Sequence, residues 1–224
     1  MKTLRRLLAA IFVAVATDAT APATAAETVI PLPAASTRLA IRAARMIDGR
    51  SERLHREAVV IVEGERIVAV GGNELLTPGL ETLDLGDATL MPGLIDAHSH
   101  PLITVDDYQT DHLRHSSAYK ALRGLKAVQD NLRAGWTTLR IAGDADVAYA
   151  VSDLRKAIDG GLFLGPRLSG AAHYLSTTGG GGDINFLAPE VHVAADGRIA
   201  DGVDEVRKAV REEIKIEGPS VTIA

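Results

Sequence analysis

Cysteine is absent from all 224 residues, which removes thiolate metal ligands and cysteine nucleophiles from the chemistry open to this chain. That absence is silent on compartment, because many exported proteins carry no disulfide. Positive charge is in deficit too. Lys and Arg number 24 against 29 Asp and Glu, a formal net charge of −5, and no basic cluster follows the first few residues. Nucleic acid is therefore not an expected partner. The apolar run over residues 7–16 falls short of the ~20 residues that cross a bilayer, so no stable membrane anchor is expected. Internal repeats and coiled-coil heptads are also missing.

What is present at the start is a targeting pattern. The basic Met1-Lys-Thr-Leu-Arg-Arg precedes Leu7-Leu-Ala-Ala-Ile-Phe-Val-Ala-Val-Ala, and Ala23-Thr-Ala offers small residues for cleavage. Residues 1–25 thus read as an export signal, and residues 26–37 as an Ala/Thr/Pro-rich linker. The expected location is periplasmic or extracellular, with a mature chain of about 200 residues, enough for a sizeable core.

The chemistry concentrates at Met91-Pro-Gly-Leu-Ile-Asp-Ala-His-Ser-His-Pro. The apolar approach reads as a buried strand entered through a Pro-Gly turn and ended by Pro101. Side chains two apart on a strand share a face, so His98 and His100 can both reach one divalent metal. Asp96, two residues earlier, would share that face one layer deeper, as a residue orienting a ligand or as a structural aspartate. On its own a His-x-His is more often chance than a site, and the flanking sequence has to decide.

Upstream, Ala58–Val62 and Ile67–Val70 are β-branched runs around Glu63-Gly-Glu-Arg, a hairpin pattern with Gly64 in the turn. Downstream, helices and strands alternate. A helix over 117–132 places Ala118, Leu122, Leu125, Val128 and Leu132 on one stripe, with Gly135 at its C-cap. Thr137–Ala142 reads as a strand. Asp144 can cap a helix carrying Val147, Val151, Leu154 and Ile158 that ends at Gly160-Gly161. Arg167–Ala172 is a further strand, and a helix from Asp201 turns Val203, Val206, Val210 and Ile214 inward before Gly218-Pro219. Residues 220–224 look like the start of another strand. This order implies a parallel α/β sheet.

The segments Arg45-Met-Ile-Asp-Gly, Val60-Ile-Val-Glu-Gly-Glu-Arg-Ile-Val-Ala-Val-Gly and Pro92-Gly-Leu-Ile-Asp-Ala-His-Ser-His, in this order, resemble the N-terminal part of the amidohydrolase superfamily of metal-dependent hydrolases. Ala134-Gly-Trp-Thr-Thr-Leu-Arg and Gly161-Leu-Phe-Leu-Gly-Pro-Arg-Leu-Ser-Gly resemble its imidazolonepropionase-like branch, which includes Xaa-Pro dipeptidases. The resemblance covers roughly residues 38–218. It implies a small β domain over 38–90, then the N-terminal half of a (β/α)8 TIM barrel over 91–224, about strands 1–4.

The resemblance also implies His98 and His100 as metal ligands, with zinc the first candidate among divalent ions. The implied reaction is hydrolysis of a C–N bond in an amide, cyclic amide or peptide by metal-activated water. No catalytic acid or base can be assigned. In the family the fourth strand carries a bridging lysine in a Gly-Ala-Asp-x-Ile-Lys context, whereas here Gly218-Pro-Ser-Val-Thr-Ile-Ala has none, and Lys215 reads as a surface charge. Gly181 stands where relatives commonly have the histidine of Thr-Gly-Gly-His-Gly-Asp. With Asp183 and Arg140 it is a substrate-loop candidate, while Ile141 replaces an aspartate that usually follows the arginine. His112, His115 and His173 read as surface or core residues, and His55 and His192 carry no signal. The expected partners are a small-molecule or peptide substrate and a complementary chain or second copy to cover the exposed edges of half a barrel. A truncated, impaired hydrolase is the expected state, and a non-catalytic fragment that binds a full-length amidohydrolase is the alternative.

Overall fold

The computed structural model describes residues 11–14, 38–217 and 222–223, so the remaining positions of the export signal, the linker and the final strand lie outside the described residues. It divides into two units, Met1–Gly93 and Leu94–Ala224.

The first unit is a six-stranded sheet of β1 (Ile11–Ala14), β2 (Arg38–Ile47), β3 (Leu54–Glu63), β4 (Arg66–Gly71), β5 (Glu81–Asp84) and β6 (Thr89–Pro92), in the order β1-β6-β2-β3-β4. Both β5 and β6 run parallel to β2, β5 beside residues 39–42 and β6 beside residues 45–46. Strand β1, in the middle of the apolar run, pairs antiparallel with β6. Ala58 to Val62 are buried without alternation because both faces of the β2–β3 pair are covered. Leu39, Ile41, Val60 and Leu90 fill one side, and Ala40, Val59 and Ile61 pack on the other against Leu75, Leu76 and Leu80. The β3–β4 hairpin turns at Gly64, whose φ of +58° suits glycine.

The second unit holds β7 (Leu94–Ser99), α1 (Tyr108–Arg114), α2 (Ser117–Arg133), β8 (Trp136–Ala142), α3 (Ala150–Asp159), β9 (Arg167–Ala171), β10 (Tyr174–Ser176), β11 (Arg198–Ile199), α4 (Gly202–Glu217) and β12 (Thr222–Ile223). Strands β7-β8-β9 form one parallel sheet, and β10 lies parallel between β11 and β12 in a second. Among the described residues these strands do not close into a barrel. Leu139 and Ile141 of β8 pack with Val128, Val151, Leu154 and Leu168, so α2 and α3 cover one face of the sheet. No helix among the described residues is long and apolar enough to cross a membrane.

In α3, Val151, Leu154 and Ile158 face the core as the periodicity suggests, and Val147, 56% exposed, precedes the helix, whereas α2 and α4 depart from their expected stripes at some positions. In α2 the buried residues are Lys120, Gly124, Val128 and Leu132, with Leu125 packed beside them, while Leu122 is 68% exposed and Ala118 is exposed as well. In α4, Val206, Ala209, Val210 and Glu213 turn inward, and Val203 is 73% exposed. Gly135, at φ +101°, follows the last turn of α2 and donates its N–H to the Leu132 carbonyl at 3.0 Å. Asp146 rather than Asp144 serves the start of α3, its Oδ2 accepting from the backbone N–H groups of Ala148 and Ala150.

Candidate metal centre

Strand β7 delivers two imidazoles to one point. His98 Nε2 and His100 Nε2 lie 3.0 Å apart, with ring centroids 4.9 Å apart and planes at 65°. His98 is exposed and His100 half-buried. Two imidazoles on one tetrahedral zinc, each at ~2.0–2.1 Å, would have nitrogens about 3.3 Å apart, so the pair fits two ligand positions of a divalent cation closely.

The tautomer of His100 is fixed from behind. Its Nδ1 lies 2.6 Å from the carbonyl oxygen of Gly143, at the end of β8. A carbonyl only accepts, so Nδ1 carries the proton and Nε2 presents its lone pair. This is the arrangement that orients a ligating histidine and raises its basicity. Gly143 has φ +91°, and a Cβ there would fall 2.5 Å from the Tyr174 backbone nitrogen, so only glycine brings that carbonyl into place.

Asp96 does not share the face of His98 by simple alternation. The register of β7 on β8 shifts between Asp96 and Ser99, setting three steps of β7 against two of β8. The Asp96 carboxylate instead accepts from the backbone N–H of His98 at 3.0 Å, so it braces the main chain. Arg140 is exposed, and Gly181 faces open space. Asp183 closes its own loop, its Oδ2 accepting from Gly179 N at 2.9 Å and its carbonyl from Gln109 Nε2 at 3.3 Å. Among the described residues none of these three hydrogen-bonds to either imidazole, and no group of three or more His, Cys, Asp or Glu is placed to hold a metal.

His112, His115 and His173 make contacts away from the pair. His115 stacks on Tyr119 with centroids 4.6 Å apart. Buried His173 meets Glu213 Oε1 at 3.1 Å, which also accepts from the Tyr149 hydroxyl at 3.0 Å. Burial pushes the Glu213 carboxyl up, but its interactions with His173 and the Tyr149 hydroxyl outweigh it and hold it below its ordinary value. Lys120, 2% exposed, is satisfied by Asp146 Oδ1 at 2.9 Å, the Ala145 carbonyl at 2.8 Å and His112 Nδ1 at 3.0 Å. The lysine donates, so His112 is neutral with its proton on Nε2, which reaches the Ala194 carbonyl at 3.3 Å.

Asp144, beside Gly143, is fully buried. Burial pushes its carboxyl up to about 8, against the pull of backbone N–H groups including that of Leu102, so it is held neutral at pH 7. In the unfolded chain the same group ionises near 3.9. Its contribution to stability is therefore complete below about pH 4 and is lost as pH rises towards about 8, at up to ~1.4 kcal/mol per pH unit. Asp144→Asn is expected to flatten that fall, read as the difference between urea midpoints at pH 5 and pH 7.5. The depressed carboxylates Asp111, Asp146 and Glu213 act in the opposite sense and below that window, so they do not mask it. An unchanged pH slope in the asparagine chain would refute the assignment.

The profile of the amidohydrolase family matches residues 89–221. The ochratoxinase of Aspergillus niger is 34% identical over 198 residues, covering 78% of this chain and 39% of that enzyme. The imidazolonepropionase of Fusobacterium nucleatum is 40% identical over 53 residues, 22% of this chain and 13% of that enzyme. A prolidase crystallised with N-methylphosphonate-L-proline superposes with a TM-score of 0.72 at 31% identity, covering 84% of this chain and 46% of its own. The A. niger ochratoxinase structure gives 0.67 at 27% identity, covering 84% of this chain and 46% of its own. The chain thus spans less than half the length of these relatives.

Proposed function

Because the chain belongs to the amidohydrolase family, we propose that its second unit carries the first metal-binding corner of a hydrolase of amide or peptide C–N bonds. The observation that carries this reading is the 3.0 Å approach of His98 Nε2 and His100 Nε2, with His100 held by Gly143. The parallel order β7-β8-β9, followed by β10 and β12, supports reading the unit as the opening strands of a (β/α)8 barrel. In such barrels the residues at the C-terminal ends of the strands form the active face, and His98 and His100 lie at the end of β7.

His98 and His100 would hold the cation, with zinc the first choice and manganese or iron also accepted by imidazole. A divalent cation held there supplies Lewis acidity, which polarises an amide carbonyl and acidifies water near neutral pH. The chain's own residues prepare for that. Gly143 keeps the proton on His100 Nδ1, and Asp96 braces the main chain at His98. Among the described residues no third ligand joins the pair. Export through the pattern in residues 1–25 belongs to the same proposal. Among substrates, the likeness to a prolidase that binds an N-substituted L-proline favours dipeptides with C-terminal proline.

The second reading, a non-catalytic fragment that binds a full-length amidohydrolase, draws on the lack of a third ligand among the described residues. One experiment separates the two. The chain is loaded with Zn2+ or Mn2+ and offered N-acyl amino acids and Xaa–Pro dipeptides, with release of free amine as the signal. Amine release that needs the metal and disappears in the His98→Ala/His100→Ala chain supports the hydrolase. Metal binding without turnover favours the fragment.

A further inference from the structure

We propose that Asp144 is a positioning residue for the histidine pair, clamping the chain just beyond His100 while the neighbouring Gly143 holds the ring. The inference rests on His98 and His100 being metal ligands. Its geometry stands on its own.

Two consecutive residues leaving β8 reach back to two points of the segment leaving β7. The Gly143 carbonyl accepts from His100 Nδ1–H, and Asp144 Oδ2 accepts from the Leu102 backbone N–H at 2.9 Å in a buried hydrogen bond. Pro101 between them has no N–H, so the Leu102 amide is the first backbone donor after His100, and Asp144 captures it. The Ile103 N–H closes a turn onto the His100 carbonyl at 3.1 Å. His100 is thereby fixed through its ring, through its carbonyl and through the chain two residues on. The clamp is itself anchored, because the Asp144 N–H donates to the Ala172 carbonyl at 2.8 Å, just past β9.

A role limited to filling space would not require a carboxyl. Asp144 is wholly buried, and its Oδ1 has no hydrogen-bond partner among the described residues, so the group is costly where it stands. What it contributes is the acceptor that holds Leu102, and ligand-orienting contacts of this kind alter metal affinity about 10- to 100-fold.

The test uses the full 224-residue chain with Asp144→Val, close in shape but without an acceptor, and Asp144→Asn, whose amide oxygen can still take the Leu102 N–H. Two quantities are read: the tautomer of His100 from imidazole 15N shifts in metal-free protein, and cobalt(II) affinity from visible absorption. The valine chain is expected to show mixed His100 tautomers and cobalt binding weakened about 10- to 100-fold. Asparagine is expected to restore the wild-type tautomer and affinity. Ile61→Ala, a core truncation in the first unit, should lower stability and leave both readings in place. If the valine chain does not fold, Asp144→Ser, too short to reach Leu102, is read in its place. Wild-type tautomer and affinity without the acceptor would overturn the proposal. A wild-type chain that binds no cobalt would refute the metal-centre reading, and the tautomer would still decide the clamp.

Discussion

A chain carrying both His98→Ala and His100→Ala is expected to lose divalent-metal binding by two orders of magnitude or more, since both convergent nitrogens go at once. Equilibrium dialysis against Zn2+, or the visible spectrum of added Co2+, measures it directly. The single variants should differ in a way that chance histidines would not. His98 is exposed, so His98→Ala should leave the unfolding midpoint nearly unchanged, within about 0.5 kcal/mol. His100→Ala strands the buried Gly143 carbonyl and should cost about 1–3 kcal/mol besides the metal. Equal metal binding in wild type and double variant would remove the site from this chain. Equal stability of the two single variants would remove only the Gly143 anchor.

The sequence exposes the His pair because a strand's two-residue period is local, and the hairpin at Gly64 is legible for the same reason. What it hides is non-local. Alternation alone groups Asp96 with the histidines, but the irregularity between Asp96 and Ser99 breaks that alternation, and it is a property of β7 paired with β8. The stripe through Leu122 assumes that a lysine cannot face a core. Lys120 does, because Asp146 and the Ala145 carbonyl, in the connection from β8 to α3, satisfy its ammonium together with His112 of α1. Likewise Glu213 lies inward on α4 because His173 and Tyr149 receive it, which leaves Val203 outside. Asp144 looks like a helix cap from its place before an apolar run. Its actual partner, Leu102, lies 42 residues earlier in the chain. A Gly-Asp pair directly after an apolar strand was the available signal, and it acquires meaning only when the end of β7 lies alongside.

That dependence on strand register makes Gly170→Ala the most damaging small substitution expected in the second unit. Gly170 sits in β9 at φ +101°, opposite Ile141 of β8, and a Cβ there would lie 2.0 Å from the Ile141 carbonyl oxygen and 2.8 Å from its nitrogen. Both are backbone atoms inside a parallel ladder, so neither can swing away as a side-chain tip could. The left-handed backbone alone costs an L-residue about 1–2 kcal/mol, and relieving the clash means parting β9 from β8 at Arg140↔Ser169, Ile141↔Gly170 and Ala142↔Ala171. A loss of about 4 kcal/mol or more is expected, a large fraction of the ~5–15 kcal/mol that holds a typical domain, and about 10 °C or more in the thermal midpoint. Gly181→Ala is the matched control, because a Cβ there meets nothing within 4 Å, and it should fall within about 0.5 kcal/mol of wild type. Gly143 lies two residues beyond Ile141 on the strand that Gly170 supports, so disturbing β8 should release His100 as well. The alanine chain should therefore bind cobalt more weakly at temperatures well below its own unfolding, whereas Gly181→Ala binds as wild type. Equal midpoints for the two glycine variants would contradict the β8–β9 register. A destabilised Gly170→Ala chain with full metal affinity would show that the histidine pair is held by β7 alone.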